Sequence, residues 1–349
     1  MSTRGLATLL LAALVALAGV PAAAFAYVDL TPTWAPAGSF VAFWRNDDVG
    51  AGDESGIYVV GSDGGEPRRI VADRGARWPS WSPNGRTIAY ATETRRGSIQ
   101  LIDLNGSPRR RLSGTLRGYL SHPKWSPDGR MIAFHRGINR RASGRWKWEG
   151  EIWVVRPSGS GLRRVAANVP FFAGTQPVPF AWSPRSDQLV YSGVQDGIRD
   201  LWAVGLDGRP PTRLLRSRAF DTAPVWSPDG TRIAFTGKET NDATRIYVLT
   251  LAGRTLTVVG VGLRPRWHPD GQRLAFIGSS DGVGLYVTTV GTGRVEKLFA
   301  SNRGLGDPQW APDGNALAVE AYGPCASTLT GIYIIRAAGA LRITNPCRG

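Results

Sequence analysis

The chain has 349 residues, 42% apolar and 20% charged, a composition that supports a packed core and excludes a disordered or collagen-like chain. Its formal net charge is +15, and of its 42 basic residues only Lys124, Lys147, Lys238 and Lys297 are lysine. That balance favours anionic partners, while the lack of a recognised nucleic-acid module, together with an export signal, argues against nucleic acid.

Residues 1–26 read as a signal peptide. Arg4 precedes an uncharged Leu- and Ala-rich run from Gly5 to Val20, followed by Pro21 and Ala24-Phe25-Ala26. Leu6 to Val28 approaches the length of an uncleaved membrane anchor, but Pro21 and the Ala24, Ala26 pair favour cleavage. Val20 stands where a lipid-bearing cysteine would have to be, so lipid anchoring is not expected. The expected location is secreted or cell envelope, on the periplasmic or extracytoplasmic side, with no membrane span after cleavage.

From Thr33 onward one phrase returns. Its Trp falls at Trp34, Trp81, Trp125, Trp182, Trp226, Trp267 and Trp310, with spacings of 47, 44, 57, 44, 41 and 43 residues. After the Trp comes Ser-Pro-Asp-Gly or a variant, a tight hairpin in which Pro fixes φ, Asp bonds the nearby backbone and Gly accepts positive φ. The first copy, Pro36-Ala37-Gly38, lacks the Asp. The fourth, Pro184-Arg185-Ser186-Asp187, lacks the Gly, and Asp187 is expected to take the strained position.

Strand-length bursts follow each turn: Met131-Ile132-Ala133-Phe134 and Arg232-Ile233-Ala234-Phe235, then Ile152-Trp153-Val154-Val155 and Ile246-Tyr247-Val248-Leu249, then Arg68-Arg69-Ile70 and Arg163-Arg164-Val165. With the segment leading into the Trp, each copy holds four strands, here called a to d. Helical periodicity is weak after the signal. Seven small units, each unable to bury its own faces, predict an all-β, seven-bladed β-propeller of four-stranded antiparallel blades over residues 27–349, with the repeated Trp as filler between blades.

The phrases WSPDG-x-x-[IL]-A-[FY], then I-Y-V, then R-R-[LI], resemble the repeats of the TolB-like propeller family from Thr33 to Thr344. The resemblance implies an exported protein that binds partners in the cell envelope. The namesake of the family has six repeats behind an α/β domain. This chain shows seven, with too few residues between Tyr27 and Thr33 for that domain, so the namesake's role does not transfer directly.

If strand a runs down to the Pro-Asp-Gly turn at the bottom, the b-to-c and d-to-a connections lie on the top face. Cys325 and Cys347, after strands b and d of the last blade, then share the top rim, and an oxidising compartment makes one disulfide the expectation. A loop of this size gives about 3 kcal/mol in chain-entropy models. Reductant should therefore lower the melting temperature, and an unchanged melt would count against the bridge.

The longest spacing marks blade three as decorated. Its b-to-c connection from His135 to Glu151 is expected to be a loop carrying Arg136, Arg140, Arg141, Arg145 and Lys147 with Trp146 and Trp148. The d-to-a connection places Phe171 and Phe172 beside it. Cations among aromatics suit a protein partner or an anionic glycan or surface. The same aromatics serve equally as a loop core. His122 and His135 flank the first hairpin of blade three and are expected to face each other, half of a metal site with no further ligands in sequence. No cofactor is implied. No G-x-S-x-G elbow occurs, and no peptidase domain is expected. The reading is a binding or scaffold protein; the alternative is a carbohydrate-active lyase or hydrolase working on acidic glycans at the top of the central channel.

Overall fold

Strand pairing follows chain order without exception. The computed structural model describes residues 28–46, 54–94, 97–142, 145–171, 178–216, 221–238, 243–278, 282–301, 304–322 and 331–344. Over these it forms seven four-stranded antiparallel sheets, each built from four consecutive strands. Apart from a short 3-10 turn at Ala252–Arg254, the described residues are strands, turns and connections. The signal segment, Phe172, Cys325 and Cys347 lie outside the described residues.

The first strands of neighbouring blades touch one another, which places strand a innermost and strand d on the circumference. Exposure follows the same gradient. Strand b of blade two, Thr87–Thr92, is buried throughout, whereas strand d of blade six, Val295–Ala300, is largely exposed. Within a middle strand the side chains alternate between two different neighbours. Val41 and Phe43 pack toward blade seven, and Ala42 and Trp44 toward blade two. Both faces of the sheet are thereby buried, so the inner strands read as unbroken apolar runs. Seven apolar clusters fill the seven junctions between blades, the last one joining Trp34, Val41 and Phe43 of blade one to Ala318, Ile332 and Ile334 of blade seven. The ring closes by this packing, since among the described residues blades one and seven exchange no strand.

The repeated Trp fills these junctions as expected, and its indole adds a second contact. Trp34 Nε1 donates to the Gln309 carbonyl at 2.9 Å, Trp81 to Thr33 at 3.1 Å and Trp182 to Lys124 at 3.0 Å. Trp267 donates to Val225 at 3.3 Å and Trp310 to Arg266 at 3.1 Å. Every acceptor is the residue just before the Trp of the preceding blade, so each bond staples one blade to the next.

Arginine performs the same task at the periphery. In the Arg-Arg pairs of strand d the first guanidinium reaches the next blade: Arg68 donates to Leu104 O at 2.6 Å and Arg163 to Leu206 O at 2.8 Å, while Arg110 donates to Ser158 O. Arg336 of blade seven reaches Ser62 O and Asp63 of blade one. A five-donor planar head on a long stem suits a reach to a carbonyl on a neighbouring sheet, which gives part of the arginine excess a structural reason.

The Pro-Asp-Gly turns form as read. Ser126 Oγ donates to Asp128 Oδ1 at 2.6 Å and accepts from Met131 N, and Gly129 has φ of 70°. Blade four corrects one expectation: Ser186, not Asp187, takes the left-handed position, with φ of 62°. Asp187 sits one residue later and instead accepts from Ser183 Oγ at 2.6 Å, restoring the contact that the turn aspartate makes elsewhere.

Candidate functional site

Two places concentrate polar and aromatic groups beyond what the blades need: the crest of blade three and the central channel.

At the crest, the expected loop from His135 to Glu151 is a β-hairpin. Strand b, Ile132–Ala142, pairs with strand c, Arg145–Val155, through eleven residue pairs out to Ala142 and Arg145, where blades two, five and six have six. Five extra pairs carry the ladder about 17 Å further along the strand direction. Arg140 is opposite Lys147 and Arg141 opposite Trp146, so Arg140, Arg141, Arg145, Trp146 and Lys147 all lie on the outer half of the hairpin.

Lower down, the candidate residues are already engaged. Arg136 donates from Nε to Arg117 O at 2.7 Å and from its guanidinium to Glu151 at 2.9 Å, so it is a structural ion-pair residue and not a free cation. Glu151 also accepts from Arg164 at 2.9 Å and from the Trp153 indole at 2.8 Å. Burial pushes the Glu151 carboxyl up, but the bonds from Trp153, Arg164 and Arg136 outweigh it and hold the group below the usual carboxylate range.

Phe171 does come beside the hairpin. Its ring stacks on Trp148 at 4.8 Å and lies 5.4 Å from His135, while Trp148 meets Tyr119 edge-on at 5.2 Å. These four rings form a small core at the hairpin root, with Trp148 still 39% exposed. His122 and His135 do not face each other. His135 opposes Ser121 in the strand ladder and packs on Phe171 toward blade four, where burial pushes its imidazole down to about 3. His122, in a left-handed conformation with φ of 51°, stacks on Trp78 of blade two at 4.7 Å. Among the described residues no group of three or more His, Cys, Asp or Glu is placed to hold a metal ion.

The channel was missed in the sequence, although its signal is there. Six of the seven Trp residues are preceded by X-Pro-X, with X being Thr31, Trp78, His122, Ala223, Arg264 and Asp307. Strand a is an inner edge strand whose outward hydrogen-bonding side is free, which tolerates the missing proline N–H. Five of these X residues have φ between 50° and 60°, and the strand bulges there. The bulges help to line a channel cavity of about 40 Å³ with Thr31, Trp78, His122 and Arg264, together with Lys124, Arg266, Asp307 and Glu320.

Its charges are linked across blades. Asp307 Oδ2 is 2.8 Å from Arg266 and Oδ1 is 3.4 Å from Arg264. Burial raises the Asp307 carboxyl, but Arg266, Arg264, Lys124 and His122 overcome that and hold it low. Glu320 accepts from the Thr31 N–H and the Tyr322 hydroxyl. Burial dominates there and carries Glu320 up to about 7. Burial, aided by Arg266, pulls the Lys124 ammonium down to about 8.

No family model matches the sequence. A TolB homolog from Chlorobium luteolum is 31% identical over 134 residues, 37% of this chain but 30% of that protein's length. An uncharacterized protein of Agrobacterium fabrum is 24% identical over 261 residues, covering 70% of this chain and 84% of that protein. TolB from Acinetobacter baumannii superposes with a TM-score of 0.53 at 18% identity, over 80% of this chain and 65% of that one. This chain is a seven-bladed β-propeller similar in fold to TolB. At the level of fold, propellers of other proteins match as well. The propeller domain of the Trilobed protease from Pyrococcus furiosus, described as having an open velcro topology, gives a TM-score of 0.65 at 16% identity over 93% of this chain and 97% of that one. Oligogalacturonate lyase in complex with manganese gives 0.66 at 13% identity over 87% of each chain.

Proposed function

We propose that this TolB-like propeller is an exported binding protein of the cell envelope that engages an anionic partner, an acidic protein face or a polyanionic glycan, through the crest of blade three. The observation that carries the reading is the hairpin itself: eleven pairs long, set on an aromatic root, with Arg140, Arg141, Arg145 and Lys147 on its outer half. An extended two-stranded ribbon without a second sheet against it gains little stability of its own. Its basic and aromatic outer half is the composition that desolvated anchors in interfaces use. The net charge of +15 adds long-range attraction to a polyanion.

The test is retention on an immobilised polyanionic glycan such as polygalacturonate. Charge reversal of Arg140, Arg141 and Arg145 to Glu is expected to abolish salt-sensitive retention while leaving the melting temperature unchanged. Retention equal to that of the unmodified protein would remove the hairpin from the reading. Metal-dependent turnover of the glycan, with stoichiometric metal in the purified protein, would replace it with the carbohydrate-active alternative.

A further inference from the structure

Blade three also contributes to a second location, independent of the hairpin. We infer that the channel cavity is a receptor for a single carboxylate group, taken between Lys124, Trp78 and Thr31.

The cavity has donors to spare. Trp78 is 6% exposed and its indole N–H has no hydrogen-bond partner among the described residues; the Thr31 hydroxyl, on the neighbouring blade, is buried and equally unpartnered among them. Lys124 makes no hydrogen bond or ion pair through its ammonium among the described residues. Buried donors without partners are costly, and two of them beside the Lys124 ammonium, on three successive blades lining one cavity, mark a place for an acceptor. Charge specifies which acceptor. The groups facing the cavity are Lys124 and His122 from blade three, Arg264 and Arg266 from blade six, and Asp307 and Glu320 from blade seven, with Tyr322 behind Glu320. Asp307 is ion-paired with both arginines and hydrogen-bonded at Oδ2 by Arg266, its Oδ1 having no hydrogen bond among the described residues, and Glu320 accepts from Thr31 N–H and Tyr322. Lys124, Arg264 and Arg266 face Asp307 and Glu320 when Glu320 is ionised and Asp307 alone when it is protonated, so the lining keeps a positive excess on both sides of neutrality, which an anion offsets and a water molecule does not. A volume of about 40 Å³ holds a planar carboxylate head. It is too small for a sugar ring, so the remainder of the ligand must extend along the channel.

The channel gives the binding a pH sign. Glu320 is the like charge opposing an anion, and its ionisation through about 7 weakens binding. Lys124 loses its proton through about 8, which weakens it again. Affinity is therefore greatest below neutrality and falls across that interval as pH rises.

The experiment is calorimetric titration of the full chain at fixed ionic strength with acetate, glucuronate and N-acetylglycylglycine, using chloride, sulfate and neutral acetamide as controls. Acetate is expected to bind and acetamide not. Tighter glucuronate would point to acidic sugars as the source of the carboxylate, and a tighter dipeptide acid to peptide termini. Lys124→Met is expected to weaken acetate at least about tenfold, the scale of one charge-assisted hydrogen bond. Glu320→Gln is expected to tighten it above neutrality and flatten the lower part of the pH profile. Charge reversal of the hairpin should leave acetate binding unchanged, so failure of the crest reading and failure of this one are separate results. Two results overturn the inference: chloride or sulfate binding as well as acetate, meaning an adventitious ion only, or no response to carboxylate. If Lys124→Met does not fold, an unchanged affinity in Glu320→Gln overturns it as well.

Discussion

Phe235→Ala is expected to lower the unfolding free energy by about 3–5 kcal/mol, the range for truncating a fully buried aromatic. Phe235 is 1% exposed on strand b of blade five, Arg232–Gly237, and its ring stacks on Tyr247 across the strand pair at 5.4 Å. Around it lie Val190 and Leu201 of blade four and Trp226 of its own blade, so the cavity left by alanine opens at a junction between two sheets. Neither sheet can collapse into that gap without moving the hairpin turns at its ends, which keeps the cost within that range. Urea titration followed by tryptophan fluorescence reads the effect. A loss below about 1 kcal/mol, the size expected of a surface change, would show that the blades are not held by their apolar junctions.

The propeller was legible because its determinants are local and repeated. Trp, Pro-Asp-Gly and the Ile-Ala-Phe burst each act within a few residues, and seven copies average out individual departures such as Ser186. The hairpin of blade three was not legible as strands. From Arg136 to Lys147 its residues, Ile138 apart, are charged, polar, small or aromatic, so no apolar alternation is there to read, and alternation is a signature of burial. His122 and His135 misled for a related reason. The bulge at His122 turns it toward Trp78 and the channel, while His135 keeps the regular alternation and points to blade four, a difference set by one left-handed residue before Pro123. The channel lay within reach of pattern reading. Extending the repeat three residues ahead of each Trp exposes X-Pro-X in six blades. The variation at X, from Ala223 to Arg264 and Asp307, separates it from the uniform Trp beside it. What no pattern supplies is which of these side chains meet across the ring, since that depends on closure between blades far apart in sequence.

Closure itself leads to the other large effect. Asp29→Ala is expected to cost about 3–5 kcal/mol, because it strands a buried guanidinium. Arg45 donates from Nε to Asp29 Oδ1 at 2.6 Å and from its terminal nitrogen to Oδ2 at 3.1 Å, with side chains 9% and 0% exposed. The guanidinium also lies 4.4 Å over the ring of Tyr58 on strand c. Asp29 opposes Arg45 in the ladder joining strand a, Val28–Trp34, to strand b, Phe40–Asn46. The pair thus fastens the edge strand of blade one two residues before Thr31, whose N–H meets Glu320 of blade seven. With no strand exchanged at that seam among the described residues, whatever loosens strand a loosens the ring. Hydrogen exchange should therefore show the lost protection concentrated in Leu30–Trp34 and in Leu317–Ala321 across the seam. Replacing both partners, Asp29→Ala with Arg45→Met, removes the charge along with its counterion and should recover most of the loss. A double variant as unstable as Asp29→Ala alone would mean that the pair acts through its shape and not its charge, since coupling between contacting residues is what such a cycle isolates.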